Sequence, residues 1–128
     1  GSNVTLLPLT QFILGTEDYP DTRRIIESNI PVSLSTDFNP GTSPSNNMIF
    51  LAQLGFLKCG MDINEIINAI TLNPAGSLGM GNITGSLETG KYADLVIMDL
   101  DDIKDMFYHI GLNRIKYVMK KGKIIIRR

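Results

Sequence analysis

Asp37 ends a run of small and aliphatic residues, Val32-Ser33-Leu34-Ser35-Thr36, and opens the stretch Asp37-Phe38-Asn39-Pro40-Gly41-Thr42. A carboxylate at the carboxy end of a buried strand sits where α/β enzymes gather their reacting groups, because the loops that follow form the open face of the fold. Such a carboxylate can hold a metal ion and accept a proton from a water activated beside it. Asn39 adds an amide that donates and accepts, Gly41 permits a close backbone approach to a ligand, and Thr42 contributes a hydroxyl. The competing interpretation is that Asp37 and Asn39 only cap and turn the chain, the ordinary use of such residues.

The remaining candidates are weaker. His109 is the only histidine, and one imidazole cannot assemble a zinc site. It reads as a hydrogen-bonded structural residue. Cys59, also single, forbids an internal disulfide and has no basic neighbour in sequence to activate its thiol, so it reads as core. The methionines form no stripe. Lys120-Lys121 and Arg127-Arg128 read as a solvated hairpin tip and tail. Gly79-Met80-Gly81 lacks the lysine of a phosphate loop and follows a helix, so it is set aside.

These residues need elements to position them. Val4 to Leu14 reads as an apolar, β-rich opening broken by Pro8. Thr22 to Ser28 reads as a short helix, and Ile30 to Phe38 as the best strand of the first half. Ser33 and Ser35 between aliphatics suit a strand packed on both faces, as in a parallel sheet or barrel. Ser45 is expected to cap a largely buried helix running to Lys58. Asp62 and Glu65 predict a capping box, with Ile63, Ile66, Ile67 and Ile70 at helical spacing behind it. Asn73-Pro74 predicts a further short helix, Asn73 as its cap and Pro74 in its first turn. From Ile83 the pattern turns to strands: Ala93 to Met98, then a hairpin of Ile115–Met119 and Lys123–Arg128 around Lys120-Lys121-Gly122. Asp99 to Asp105 reads as an acidic connection.

Composition narrows the classes. Hydrophobic residues make up 43% and charged residues 20% of 128, within the globular range. Twelve Lys and Arg against thirteen Asp and Glu leave a net charge of −1, which offers no broad basic surface for nucleic acid. No apolar run approaches the roughly 18 residues of a membrane span. No signal peptide opens the chain, and Gly1-Ser2 reads as a cloning scar. The expectation is a soluble, cytoplasmic α/β chain divided near residue 82. Two βα units cannot form a closed barrel of about 250 residues. The chain is therefore either a small self-contained α/β protein or the carboxy-terminal portion of a larger enzyme.

Four segments carry a resemblance. Gly85-Ser86-Leu87-Glu88-Thr89-Gly90-Lys91-Tyr92-Ala93-Asp94-Leu95-Val96 resembles the G-x-L-x-x-G-K-x-A-D-L-V segment of the amidohydrolase superfamily. Thr71-Leu72-Asn73-Pro74-Ala75 is similar to the helix that precedes it there. Thr36-Asp37-Phe38-Asn39-Pro40-Gly41-Thr42-Ser43-Pro44 and Tyr108-His109-Ile110-Gly111-Leu112-Asn113 resemble segments of the imidazolonepropionase family within it. The likeness covers only the last third or so of such an enzyme. It implies the carboxy-terminal part of a metal-dependent (β/α)8 TIM barrel in residues 3–82. Residues 83–128 would then be strands of a small β-sandwich module built from both chain ends.

The resemblance also implies an activity: hydrolysis of 4-imidazolone-5-propanoate to N-formimidoyl-L-glutamate in histidine degradation, with Zn2+ or Fe3+. It assigns Asp37 as metal ligand and catalytic residue, and Asn39, Gly41 and Thr42 as substrate contacts. It further implies a homo-oligomer acting on a small molecule, with neither nucleic acid nor membrane as partner. The H-x-H pair and later metal-binding histidines of the family are absent from this chain, as are the basic residues expected to hold the propanoate. By itself the chain is therefore expected to be inactive and to hold no metal tightly. Another cyclic-amide hydrolase or deaminase of the superfamily, and a non-catalytic α/β interaction module, are the rival assignments. Strands and helices cut from a barrel expose edges and apolar faces, which favours association. The isolated chain is expected to self-associate; light scattering or sedimentation giving a stable monomer at high concentration would contradict that.

Overall fold

A computed structural model describes residues 2–128; Gly1, half of the dipeptide set aside as a scar, lies outside the described residues. β1 (Val4–Leu6) and β2 (Val32–Leu34) pair in parallel, Val4 opposite Val32 and Leu6 opposite Leu34. Val32, Ser33 and Leu34 are all buried, as two-sided packing requires. The strand is shorter than the expected Ile30–Phe38. Pro31 has no N–H to give a ladder, and Asp37 turns the chain with a φ of 51°, a left-handed value that extended backbone excludes.

The opening segment differs from its expected β character. After β1 the chain enters α1 (Pro8–Leu14). Proline suits the first helical position, where its missing N–H costs nothing. Gly15 stops the helix at φ 68° with its N–H on the Phe12 carbonyl. Leu9 is buried while Ile13 and Leu14 remain exposed, so an apolar run that could serve strand or helix became a one-sided helix. α2 (Thr22–Glu27), capped by Asp21 on the Arg24 N–H, returns the chain to β2.

Three helices follow. α3 (Met48–Lys58) starts two residues later than a Ser45 cap implies: Asn47 caps it, its side-chain Oδ1 accepting from the Phe50 N–H at 3.0 Å, and Ser45 Oγ instead accepts from the Asn47 N–H. α4 (Ile63–Ile70) carries the predicted capping box, Asp62 on the Glu65 N–H and Glu65 on the Asp62 N–H. α5 (Leu72–Ser77) begins before Asn73, so Asn73 does not cap it. Its Nδ2 donates instead to the Val32 carbonyl at 2.7 Å, a long-range bond that outcompetes the local role. The core lies between β1–β2 and the helices, with Leu6, Leu9, Leu34, Leu51, Leu54 and Ile66 at its centre.

β3 (Leu95–Met98), β4 (Ile115–Lys120) and β5 (Lys123–Arg127) form a separate antiparallel sheet in that order. Asp94 ties the strand entry to the hairpin tip: it accepts from Lys120 Nζ and from the Lys121 N–H at 2.7 Å. The Lys120 ammonium and that N–H hold the Asp94 carboxyl below the usual carboxylate range. Gly85, at φ 96°, faces α5 so closely that a Cβ would lie 2.5 Å from the Ala75 Cβ. That approach explains the first glycine of the Gly85–Val96 segment. Every residue of β5 is exposed, including Ile124, Ile125 and Ile126. No helix among the described residues is long and apolar enough to cross a membrane.

The acidic connection Asp99–Asp105 leads into a one-turn helix that the sequence reading did not include, α6 (Asp105–Tyr108), whose Met106 and Phe107 are buried. Gln53 of α3, fully buried, fastens it. Its Nε2 donates to the carbonyls of Met106 (2.7 Å) and His109 (3.3 Å), and its Oε1 accepts from the Gly111 N–H (3.1 Å). Gln53→Ala strips these backbone groups of their partner, the Met106 carbonyl in a buried position. A loss of about 1–3 kcal/mol is expected, read as a lower midpoint in urea denaturation.

Candidate active site

The parallel pairing of β1 and β2 sends both strands out at one end, where α1 and the loop before α3 meet. Asp37 stands there, exposed, three residues beyond Leu34. Its Oδ2 accepts from Thr10 Oγ1 of α1 at 3.1 Å, while Oδ1 has no hydrogen bond among the described residues. The Asp37 backbone is held from both sides: its N–H reaches Ser35 Oγ at 3.4 Å, and its carbonyl accepts from Asn39 Nδ2 at 2.6 Å.

Asn39 organises the loop. Its Oδ1 accepts from the N–H groups of Gly41 (2.9 Å) and Thr42 (2.8 Å), and its Nδ2 also donates to Thr42 Oγ1 at 3.1 Å. A Cβ on Gly41 would come within 3.3 Å of Asn39 Oδ1, so the glycine makes room for the amide. The Asn39 N–H donates to the Ser43 carbonyl, and buried Ser43 donates through Oγ to the Thr36 carbonyl at 2.5 Å. The loop is thereby closed on itself between strand and helix.

The sequence-selected residues Asp37, Asn39, Gly41 and Thr42 therefore come together in one loop. His109 does not join them: its backbone carbonyl is bound by Gln53 and its ring lies edge-on to Tyr108, 5.1 Å between centroids. Cys59 is buried, which pushes its thiol pKa up despite a hydrogen bond with Thr22. Two residues at the site escaped sequence reasoning. Thr10 gave no local signal, because its contact spans 27 residues. Phe38, 65% exposed beside Asp37, was detectable as an aromatic stranded in a polar turn.

A metal fits these residues only in part. Oδ1 of Asp37 is a free oxygen donor, yet among the described residues no group of three or more His, Cys, Asp or Glu could hold an ion. The chain can supply one ligand and cannot build the site. A depression of about 280 Å3 lies at the other end of β2, lined by Ile26, Asn29, Pro31, Val32, Met61 and Asn73, and is separate from Asp37.

A parallel strand pair covered by helices, with an aspartate just past one strand's carboxy end, defines an α/β chain. The chain belongs to the amidohydrolase family, whose model matches residues 1–125. Among curated proteins it is similar to the imidazolonepropionase of Thermoplasma acidophilum, 42% identical over 128 residues, which cover all of this chain and 31% of that protein. The imidazolonepropionase of Alkaliphilus oremlandii is 39% identical over 95% of this chain and 29% of its own length. The chain thus spans roughly 30% of the length of the curated relatives it matches. Among solved structures, an adenosine deaminase from Xanthomonas campestris with bound zinc superposes with a TM-score of 0.83 at 22% identity, covering 95% of this chain and 31% of that one. A triazine hydrolase variant also reaches 0.83, at 20% identity over 98% of this chain and 31% of that one. These likenesses establish the fold: part of an α/β amidohydrolase barrel.

Asn39→Ala deletes the loop's central acceptor and donor. Faster hydrogen exchange at the Gly41 and Thr42 amides is expected, with a stability loss of about 1–2 kcal/mol. Unchanged exchange at both amides would show that the loop is held by something else.

Proposed function

We propose that the complete polypeptide carrying this chain is an imidazolonepropionase, opening the ring of 4-imidazolone-5-propanoate by hydrolysis to N-formimidoyl-L-glutamate. The observation that carries this assignment is the Asp37 carboxylate, exposed at the carboxy end of a parallel strand with Oδ1 unengaged, within a chain 42% identical to an imidazolonepropionase. In ring opening, water adds to the ring carbonyl, the carbon–nitrogen bond breaks and the nitrogen gains a proton. Asp37 takes the proton from the attacking water and delivers it to that nitrogen. A Zn2+ or Fe3+ ion, with Asp37 among its ligands and the others outside this chain, would supply Lewis acidity.

Asn39, Gly41 and Thr42 are proposed to border the substrate. Asn39 sets the loop's shape, Gly41 keeps the backbone accessible, and Thr42 offers its hydroxyl. Residues 3–82 are assigned to the barrel and 83–128 to a β-sandwich module; the separate β3-β4-β5 sheet supports that division. A homo-oligomeric, cytoplasmic enzyme acting on a small molecule completes the proposal.

The test is ring opening by the complete polypeptide, followed spectrophotometrically, against its Asp37→Asn variant. The amide cannot take up the proton, so kcat should fall about 10^2- to 10^4-fold. An active parent with a fully active variant would remove Asp37 from the chemistry, and an inactive parent would refute the substrate.

A further inference from the structure

Thr10 is the one side chain among the described residues that hydrogen-bonds the Asp37 carboxylate. It lies four residues past Leu6 of β1, and Asp37 lies three past Leu34 of β2, so the Leu6–Leu34 register sets them side by side. Pro8 begins α1 immediately after β1 and places Thr10 in its first turn, half-buried. A threonine in a helix is largely confined to two χ1 rotamers, and the one adopted here carries the hydroxyl to Asp37. Asp37 is held differently: its backbone is pinned by Ser35 and Asn39, and its carboxylate is bound by the Thr10 hydroxyl.

We propose that Thr10 is a positioning residue for Asp37, binding Oδ2 so that Oδ1 is the oxygen left for the metal and the transferred proton. This rests on the assignment of Asp37 made above and adds the device that orients it. Ligating carboxylates are held by hydrogen bonds of this kind, and losing such a partner typically costs about 10- to 100-fold in metal affinity or activity. The hydroxyl acts through Asp37 and makes no contact with substrate in this scheme.

The experiment is a double-mutant cycle in the complete polypeptide, read by zinc affinity in chelator competition and, separately, by kcat and KM. Thr10→Val keeps the shape and removes the donor; Thr10→Ser keeps the donor. Thr10→Val should weaken zinc binding and lower kcat by about 10- to 100-fold with KM nearly unchanged, and Thr10→Ser should recover most of both. In the Asp37→Asn background, Thr10→Val should have almost no further effect, since the acidic acceptor is already gone. Equal losses in both backgrounds, or a lowered melting temperature with zinc affinity intact, would overturn the proposal in favour of a packing role. If Asp37→Asn itself left zinc affinity unchanged, the assignment of Asp37 as a ligand would fall, and Thr10's role with it. If zinc binding followed the cycle but the imidazolone ring stayed closed, only the substrate would be refuted.

Discussion

The turn from β2 into α3 must reverse the chain, expose a carboxylate and leave no buried amide unpaired, and the Asn39 side chain meets these demands together. Its oxygen collects the N–H groups of Gly41 and Thr42, and its nitrogen reaches back to the Asp37 carbonyl. A shorter or purely hydrophobic residue could not span both sides of the turn. The left-handed backbone at Asp37 is tolerated because its neighbours are fixed in this way. Pro40, Gly41 and Ser43 then have defined places around the amide, and α3 starts where the loop releases it.

The apolar surface follows from the same architecture. A parallel pair is stable when helices cover it and further strands flank it, and β1–β2 has helices but no third strand among the described residues. Asn73 partly compensates by donating to the Val32 carbonyl. Leu87 and Tyr108 are about four-fifths exposed and β5 is bare along its length, as befits a chain covering under a third of its relatives' length.

Features encoded by near neighbours were legible in the sequence. The Asp62–Glu65 box needs only residues three apart, and the hairpin around Lys121-Gly122 needs only its turn. The Asp37–Thr42 loop was legible because proline, glycine and asparagine within a few positions restrict the backbone strongly. What failed depended on distant partners or on ambiguous periodicity. Leu6 to Leu14 is apolar enough for strand or helix, and tertiary packing chose a helix after Pro8. Asn73 looked like a cap until a strand carbonyl 41 positions away claimed its amide. Thr10 was invisible for the same reason: a lone threonine carries no sign of the carboxylate it will meet 27 residues later.

Gln53 joins two parts of the chain that otherwise fold by different rules, helices over parallel strands on one side and an antiparallel sheet with its short lead-in helix on the other. A carboxamide sealed at such a seam makes the parts poorly interchangeable. Grafting the terminal sheet onto another helical scaffold, or replacing it with a foreign one, would strand a dry amide unless the newcomer offered two carbonyls and an N–H in the same places. Recombination across that seam is constrained by polar matching more than by shape.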